Sequence, residues 1–190
     1  MDINHIKFGF VGKANFISIF EFARAVTEKY PNHEMHFFGT TDDRREEIVA
    51  ELSKYPNFHQ HGRFKNPADL PEIYSKIDIV LALYDVDSIN VLYAEPNKLY
   101  EAMYYRKPII VSKGTYLAEK VKRLGIGFDL DATESSNIET FIAGLTEEKL
   151  QEKIDNAGRI DRKDAINNNP ELFDFINGYI NQHEVGFSLK

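Results

Sequence analysis

Short apolar runs alternate with segments of helical period along most of this chain. The first run is Lys7-Phe8-Gly9-Phe10-Val11, which predicts a strand closed by Gly12. Residues 15–29 follow with Phe16, Ile19, Phe20, Ala23 and Val26 on one face, the signature of an amphipathic helix. Pro31-Asn32 breaks it, and residues 35–38 predict a second strand ending at Gly39. Asp42 or Asp43 can cap the next helix, which carries Ile48, Val49 and Leu52. Residues 58–61 form a third strand before Gly62. Residues 67–76 then read as a short helix with Leu70, Ile73 and Tyr74 inward. The run 77–83 is apolar throughout, as suits a central parallel strand covered on both faces. A long loop leads to a helix over 96–105, a strand at 108–111, a helix over 115–124 and a strand at 127–130. From Ser135 onward the pattern is helical, including a last segment from Glu171 to Tyr179.

Strand–helix alternation of this kind implies right-handed crossovers and a doubly wound, Rossmann-like parallel α/β sheet. The expected organisation is one domain over residues 1–190, with a core of about 6–134 and a helical tail of about 135–190. Composition narrows the function classes. The chain has no cysteine, so neither disulfides nor a thiolate metal site is available, which fits a reducing, cytoplasmic setting. A net charge of −7 argues against nucleic acid as a partner. No apolar run reaches the ~20 residues of a spanning helix, which leaves only peripheral membrane association open for a longer protein.

In a doubly wound sheet the ligand sits beyond the carboxyl ends of the strands. The candidate loops are therefore Gly12 to Asn15, Gly39 to Thr41, Gly62 to Phe64, Tyr84 to Glu95, and Ser112 to Gly114. Gly12-Lys13-Ala14 is neither a dinucleotide fingerprint nor part of a P-loop, and the second strand ends in Gly39 where a ribose-binding acid would stand. The informative stretch is Glu95-Pro96-Asn97-Lys98-Leu99-Tyr100-Glu101-Ala102-Met103, followed by Lys107-Pro108-Ile109-Ile110. Pro96 suits the first helical position, and the free N–H groups of Asn97 and Lys98 would offer an anion site reinforced by the ammonium of Lys98. Glu101 lies one turn on, so a cation for phosphate and a carboxylate for ribose hydroxyls share a helical face. From spacing alone, a surface Lys–Glu pair explains the same residues.

This stretch resembles the C-terminal, donor-binding domain of retaining, group 1 GT-B glycosyltransferases. Those proteins carry P-x-K-L-x-E-x-M before a strand reading K-P-V/I-I. Further likenesses are the strand ending in Gly12, the strand ending in Phe38-Gly39, residues 58–62, and Leu70-Pro71-Glu72-Ile73-Tyr74-Ser75-Lys76-Ile77-Asp78-Ile79. Together they span roughly residues 7–130 in order. The resemblance implies half of a GT-B fold that binds a nucleotide-sugar donor, with Glu101 on the ribose and Asn97 and Lys98 near the diphosphate. It also places Lys13 beside the leaving diphosphate and Arg63 and Phe64 beside the base, while Gly12, Asn15 and Tyr84 complete the expected donor site. The family's two glutamates are eight positions apart, but position 93 is Tyr93 and Glu95 is only six before Glu101, so no first glutamate is transferred. No catalytic residue, cofactor or metal is implied.

The acceptor site of such enzymes lies mostly in an N-terminal domain, the expected missing partner on the same polypeptide or a separate chain. Polysaccharide or glycoconjugate synthesis is the expected setting. A nucleotide- or sugar-binding module without transfer, and a sugar-nucleotide epimerase, are the alternatives. Other features have plainer readings. Asp85-Val86-Asp87 reads as a solvated loop. His59 and His61 alternate onto one strand face, but lack an identifiable third metal ligand. Tyr104-Tyr105 reads as packing at a helix end, and Lys113-Gly114 as a turn before a helix. Phe173, Phe175 and Tyr179 would be exposed where the missing half belongs, or would pack on their own sheet.

Overall fold

The computed structural model describes residues 2–166. Six parallel strands form one sheet in the order β3-β2-β1-β4-β5-β6. They are β1 (Lys7–Val11), β2 (Glu34–Phe38), β3 (Phe58–Gly62), β4 (Ile79–Ala82), β5 (Ile109–Ser112) and β6 (Gly127–Leu130). The helices are α1 (Ile17–Lys29), α2 (Glu46–Leu52), α3 (Leu70–Ser75), α4 (Ile89–Tyr93), α5 (Asn97–Tyr105), α6 (Tyr116–Leu124), α7 (Ser135–Ala143) and α8 (Glu147–Arg159). The doubly wound reading holds, and each expected strand through residue 130 is present within two residues of its predicted ends.

Side-chain alternation along each strand divides the core in two. Phe8 and Phe10 of β1 and Ile79 and Leu81 of β4 pack with Ile19, Phe20 and Ala23 of α1 and Ile138 of α7. On the other face, Val11, Val80 and Ala82 meet Ile73 and Tyr74 of α3, Leu99 and Ala102 of α5, and Val121 of α6. All four residues of β4 are buried, so the most apolar run is the strand covered on both sides. Asp78 fixes the start of that strand by accepting from the backbone N–H of Lys7 at 2.9 Å.

The chain order reverses direction between β1 and β4. That is the topological switch point, where loops leave the sheet in opposite directions and open a crevice. Close backbone contact shapes one wall. The loops after β1 and β2 stay paired beyond the sheet, through Gly12 N–H to the Phe38 carbonyl at 2.7 Å and Ala14 N–H to the Thr40 carbonyl at 2.8 Å. Gly39 has φ +125°, and a Cβ there would lie 2.1 Å from the Gly12 carbonyl oxygen. Only glycine permits this approach.

Three local expectations need correction. The long loop after β4 contains a helical turn, α4, capped by Ser88, whose side chain accepts from the N–H of Val91. Ile89, Leu92 and Tyr93 have helical spacing, but over a single turn too short to mark a helix in the sequence, and none of the residues of α4 is buried. Pro96 is the N-cap of α5 rather than its first residue, with extended backbone at φ −75° and ψ 153°. Asp42 does cap a helix, but a single 3-10 turn, Asp43–Arg45, precedes α2. The tail is helical through α7, α8 and a 3-10 turn, Arg162–Ala165. The predicted helix 171–179, with Phe173, Phe175 and Tyr179, lies outside the described residues.

Candidate donor site at the switch point

Two helices point their N-termini at the carboxyl edge of the sheet near the switch point, and they are not equivalent. At α1 the site is filled. Asp85, just after β4, accepts from the N–H groups of Ile17 and Ser18, each at 2.8 Å, and from the Ser18 hydroxyl at 2.6 Å. A carboxylate thus occupies the position that a pyrophosphate takes in a dinucleotide fold. The expected solvated loop at Asp85-Val86-Asp87 is corrected in its first residue: Asp85 is a half-buried cap, whereas Val86 and Asp87 are exposed. Asp85→Ala should destabilise the chain by about 1–2 kcal/mol, the usual cost of a lost N-cap, measurable as a lower urea midpoint with unchanged slope.

At α5 the corresponding position holds a cation. Lys98 in the first turn reaches back over the ends of β1 and β4. Its Nζ lies 4.4 Å from the centre of the Phe10 ring, 5.6 Å from that of Tyr84, and 3.4 Å from the Tyr84 hydroxyl. Gly12 allows the approach, because a Cβ there would sit 3.1 Å from this ammonium. No described carboxylate forms an ion pair with it. Desolvation pulls its pKa down to about 8, partly opposed by the nearby charge of Glu101. A half-buried ammonium between aromatic faces, beside a helix N-terminus, concentrates positive potential at this point of the crevice.

Glu101, one turn further along α5, is oriented by the neighbouring helix. The Tyr74 hydroxyl donates to its Oε2 at 2.5 Å. Burial, reinforced by the negative charge of Glu101, raises the Tyr74 pKa well above its ordinary value, so the phenol remains a donor. The Tyr74 ring stacks on Tyr105 at 4.5 Å. Tyr105 therefore packs at the helix end as expected, and the Arg162 guanidinium lies over Tyr104 at 5.2 Å.

The remaining expected residues divide between the site and its rim. Tyr84 is at the centre, its N–H donating to the Ser112 hydroxyl at 2.7 Å and its ring meeting Phe16 edge-on at 5.0 Å. Lys13 is largely exposed and pairs with Asp42 at 3.4 Å. The carbonyl of Asn15 accepts from Arg45 at 3.4 Å, which ties it to the loop after β2. Arg63 is exposed, and Phe64 packs partly against the core beneath α3 and α5. Asn97 is exposed at the start of α5. Glu95 is drawn elsewhere: it accepts from Lys120 at 2.5 Å and from the Tyr100 hydroxyl. That places the glutamate with the wrong spacing in a brace between α5 and α6.

Two clefts of about 440 Å³ each flank this centre. One lies between Pro67 and Leu70 on one side and Asn97, Tyr100 and Glu101 on the other. The second is lined by Ser18, Tyr84, Asp85, Ser112, Lys113 and Thr133. Lys113-Gly114 forms the turn read from the sequence, and Lys113 also lines this cleft as one of the candidate loops, while Thr115 caps α6.

With this geometry, the comparison with known proteins is decisive on one point. Residues 10–163 match the family described as Glycosyl transferases group 1. The chain belongs to that family. Among solved structures it is similar to the C-terminal domain of the group 1 glycosyl transferase LpcC from Francisella tularensis, with a TM-score of 0.61 and 18% identity over 80% of this chain and 82% of that one. It is likewise similar to Anabaena Alr3699/HepE, solved in complex with UDP and glucose, with a TM-score of 0.65 and 18% identity. That match covers 92% of this chain and 48% of HepE. These likenesses show that the fold is that of a GT-B half-domain. In sequence, the chain is 29% identical over 92 residues to the succinoglycan biosynthesis protein ExoL of Rhizobium meliloti (strain 1021). It spans 23% of that relative's length.

Proposed function

We propose that this chain is the donor-binding half of a glycosyltransferase and holds a nucleoside diphosphate sugar across the switch point. The observation that carries this reading is the ammonium of Lys98. It is half-buried at the N-terminus of α5, without a described carboxylate partner, while the competing N-terminus of α1 is already filled by Asp85. A diphosphate needs a desolvated cation and free backbone donors, and α5 offers both.

In this reading the nucleoside lies in the cleft between Leu70 and Glu101, with the free carboxylate oxygen of Glu101 accepting from ribose hydroxyls. Arg63 and Phe64 border the base. The diphosphate sits at Asn97 and Lys98, near Gly12, with Lys13 and Asn15 at the rim. The sugar extends toward Tyr84 and the second cleft. Transfer requires a base or acceptor-positioning groups from elsewhere, in keeping with an N-terminal domain on the same or another polypeptide. The similarity to ExoL supports a role in polysaccharide synthesis.

Calorimetry on the isolated chain with uridine, guanosine, adenosine and thymidine diphosphates tests the reading. One of them should bind saturably, and sugar transfer by the isolated chain should be near background. Absence of heat with all four at millimolar concentration would overturn the donor site. Robust turnover by the chain alone would overturn its role as half an enzyme.

A further inference from the structure

Five histidines gather along β2 and the edge strand β3, from His5 and His33 before the strands to His61 near the end of β3. His33 accepts from the Ile6 N–H at 3.2 Å, His5, His36 and His59 surround one carboxylate, and His61 joins them through His36. Glu34, at the start of β2, receives His36 Nε2 at 2.8 Å and His59 Nε2 at 3.4 Å on the same oxygen. His5 Nε2 lies 2.6 Å from its other oxygen. The parallel register explains the meeting, because His36 stands opposite His59 across the β2–β3 pair and Glu34 is two residues before His36 on the same face. The third ligand that His59 and His61 lacked in the sequence comes from the neighbouring strand.

We propose that Glu34, His36 and His59 form a binding site for a divalent transition-metal ion of the zinc type. One ligand atom from each lies within 4.8 Å of the others. A tetrahedral ion with bonds of about 2.0–2.1 Å holds its ligand atoms about 3.3 Å apart, close to the spacings of Glu34 to its two imidazoles. Two imidazoles and a carboxylate are a donor set suited to zinc, cobalt or nickel, with a fourth position for water.

The surrounding groups also suit this role. His61 Nε2 is 3.0 Å from His36 Nδ1, so it can fix the tautomer of His36 as metal-ligating histidines require. Stacking of His61 on Phe38 at 4.1 Å and on His36 at 5.3 Å holds that partner in place. His5 can likewise orient the carboxylate. The His59 side chain is 37% exposed and gives an ion a route in, whereas that of His36 is 9% exposed and anchors the site in the sheet. In the metal-free chain these nitrogens and the Glu34 oxygens share protons, which a cation would displace. Bound there, the ion would clip the edge strand β3 to β2.

The test uses the full chain without a histidine tag, with zinc and cobalt salts as the probes. Calorimetry should show one saturable site per chain, cobalt should give the intense visible absorption of tetrahedral coordination, and zinc should raise the melting temperature. His59→Ala should weaken zinc binding by about 100-fold or more, and His61→Ala by about 10–100-fold, the usual range for an outer partner. His183→Ala should leave binding unchanged. Should His59→Ala not fold, His61→Ala carries the same comparison. No saturable zinc binding, or binding lost in His183→Ala and kept in the other two, would overturn the site. Nucleoside diphosphate binding should persist in chelator, which keeps this outcome separate from the donor reading.

Discussion

Lys98→Met should remove most of the affinity for a nucleoside diphosphate while leaving the fold intact or more stable. A charge-assisted contact to phosphate is worth about 1.5–3 kcal/mol, which corresponds to roughly 10–150-fold in affinity. The nucleoside alone should bind both forms almost equally, and the salt dependence of diphosphate binding should flatten in the mutant. The stability side follows from the desolvated position of the ammonium. Its folded pKa, about 8, lies below the ordinary lysine value, so the unfolded chain binds more protons between about pH 8 and 10.5. The Lys98 contribution to the stability of the unliganded protein therefore rises with pH across that window as the buried charge is relieved, and Lys98→Met should remove that contribution, making the pH profile less favourable on the alkaline side relative to the parent chain. Diphosphate binding has the opposite dependence: it should decline above about pH 8, with the onset moved upward by the ligand's own charge. Lys98→Arg, which keeps its charge at high pH, should lose the decline. Urea titrations and calorimetry across the alkaline range check both signs. A mutant that binds diphosphate normally would remove Lys98 from the site.

Most strands were legible because they are short apolar runs ending in glycine or polar residues, and β4 stood out because both its faces are covered. Strand β3 carries only Phe58 and was marked by its length and closing Gly62. The helix α5 was legible as a motif, and its cation proved to lie at the switch point, where strand order and sequence order diverge. What escaped the sequence reading depends on contacts between distant residues. Asp85 and Ser18 are 67 positions apart, so nothing local marks that carboxylate as the cap of α1. Tyr74 and Glu101 are 27 apart, and Tyr74 could be read as inward-facing without revealing which acid its hydroxyl would meet. Glu34 and His59 are joined only by strand register, which spacing within one strand cannot show. Helix α4 escaped for the opposite reason: Ile89 and Tyr93 are each 71% exposed, so its formation depends on Ser88 capping rather than on burial.

Glu101→Gln should weaken binding of a ribonucleoside diphosphate by about 10–100-fold, in line with the loss of a hydrogen bond to a charged group. The corresponding deoxyribonucleoside diphosphate should lose much less. The reason lies in how the carboxylate is held. Oε2 accepts from Tyr74, which leaves Oε1 as a second acceptor for ribose hydroxyls. In the glutamine the amide oxygen can satisfy Tyr74, but the group facing the ribose is then an NH2 donor without charge. Tyr74→Phe separates orientation from chemistry. It keeps a ring to stack on Tyr105 but frees the carboxylate to rotate, so Tyr74 acts as a positioning residue through Glu101. Its effect should be smaller, about tenfold, and again greater for the ribonucleotide, because a single hydrogen bond is lost. Combined with Glu101→Gln it should add little, since both changes act on one contact. Equal losses for ribo and deoxyribo ligands would show that Glu101 acts through general electrostatics, and additive losses would show that Tyr74 works independently of it.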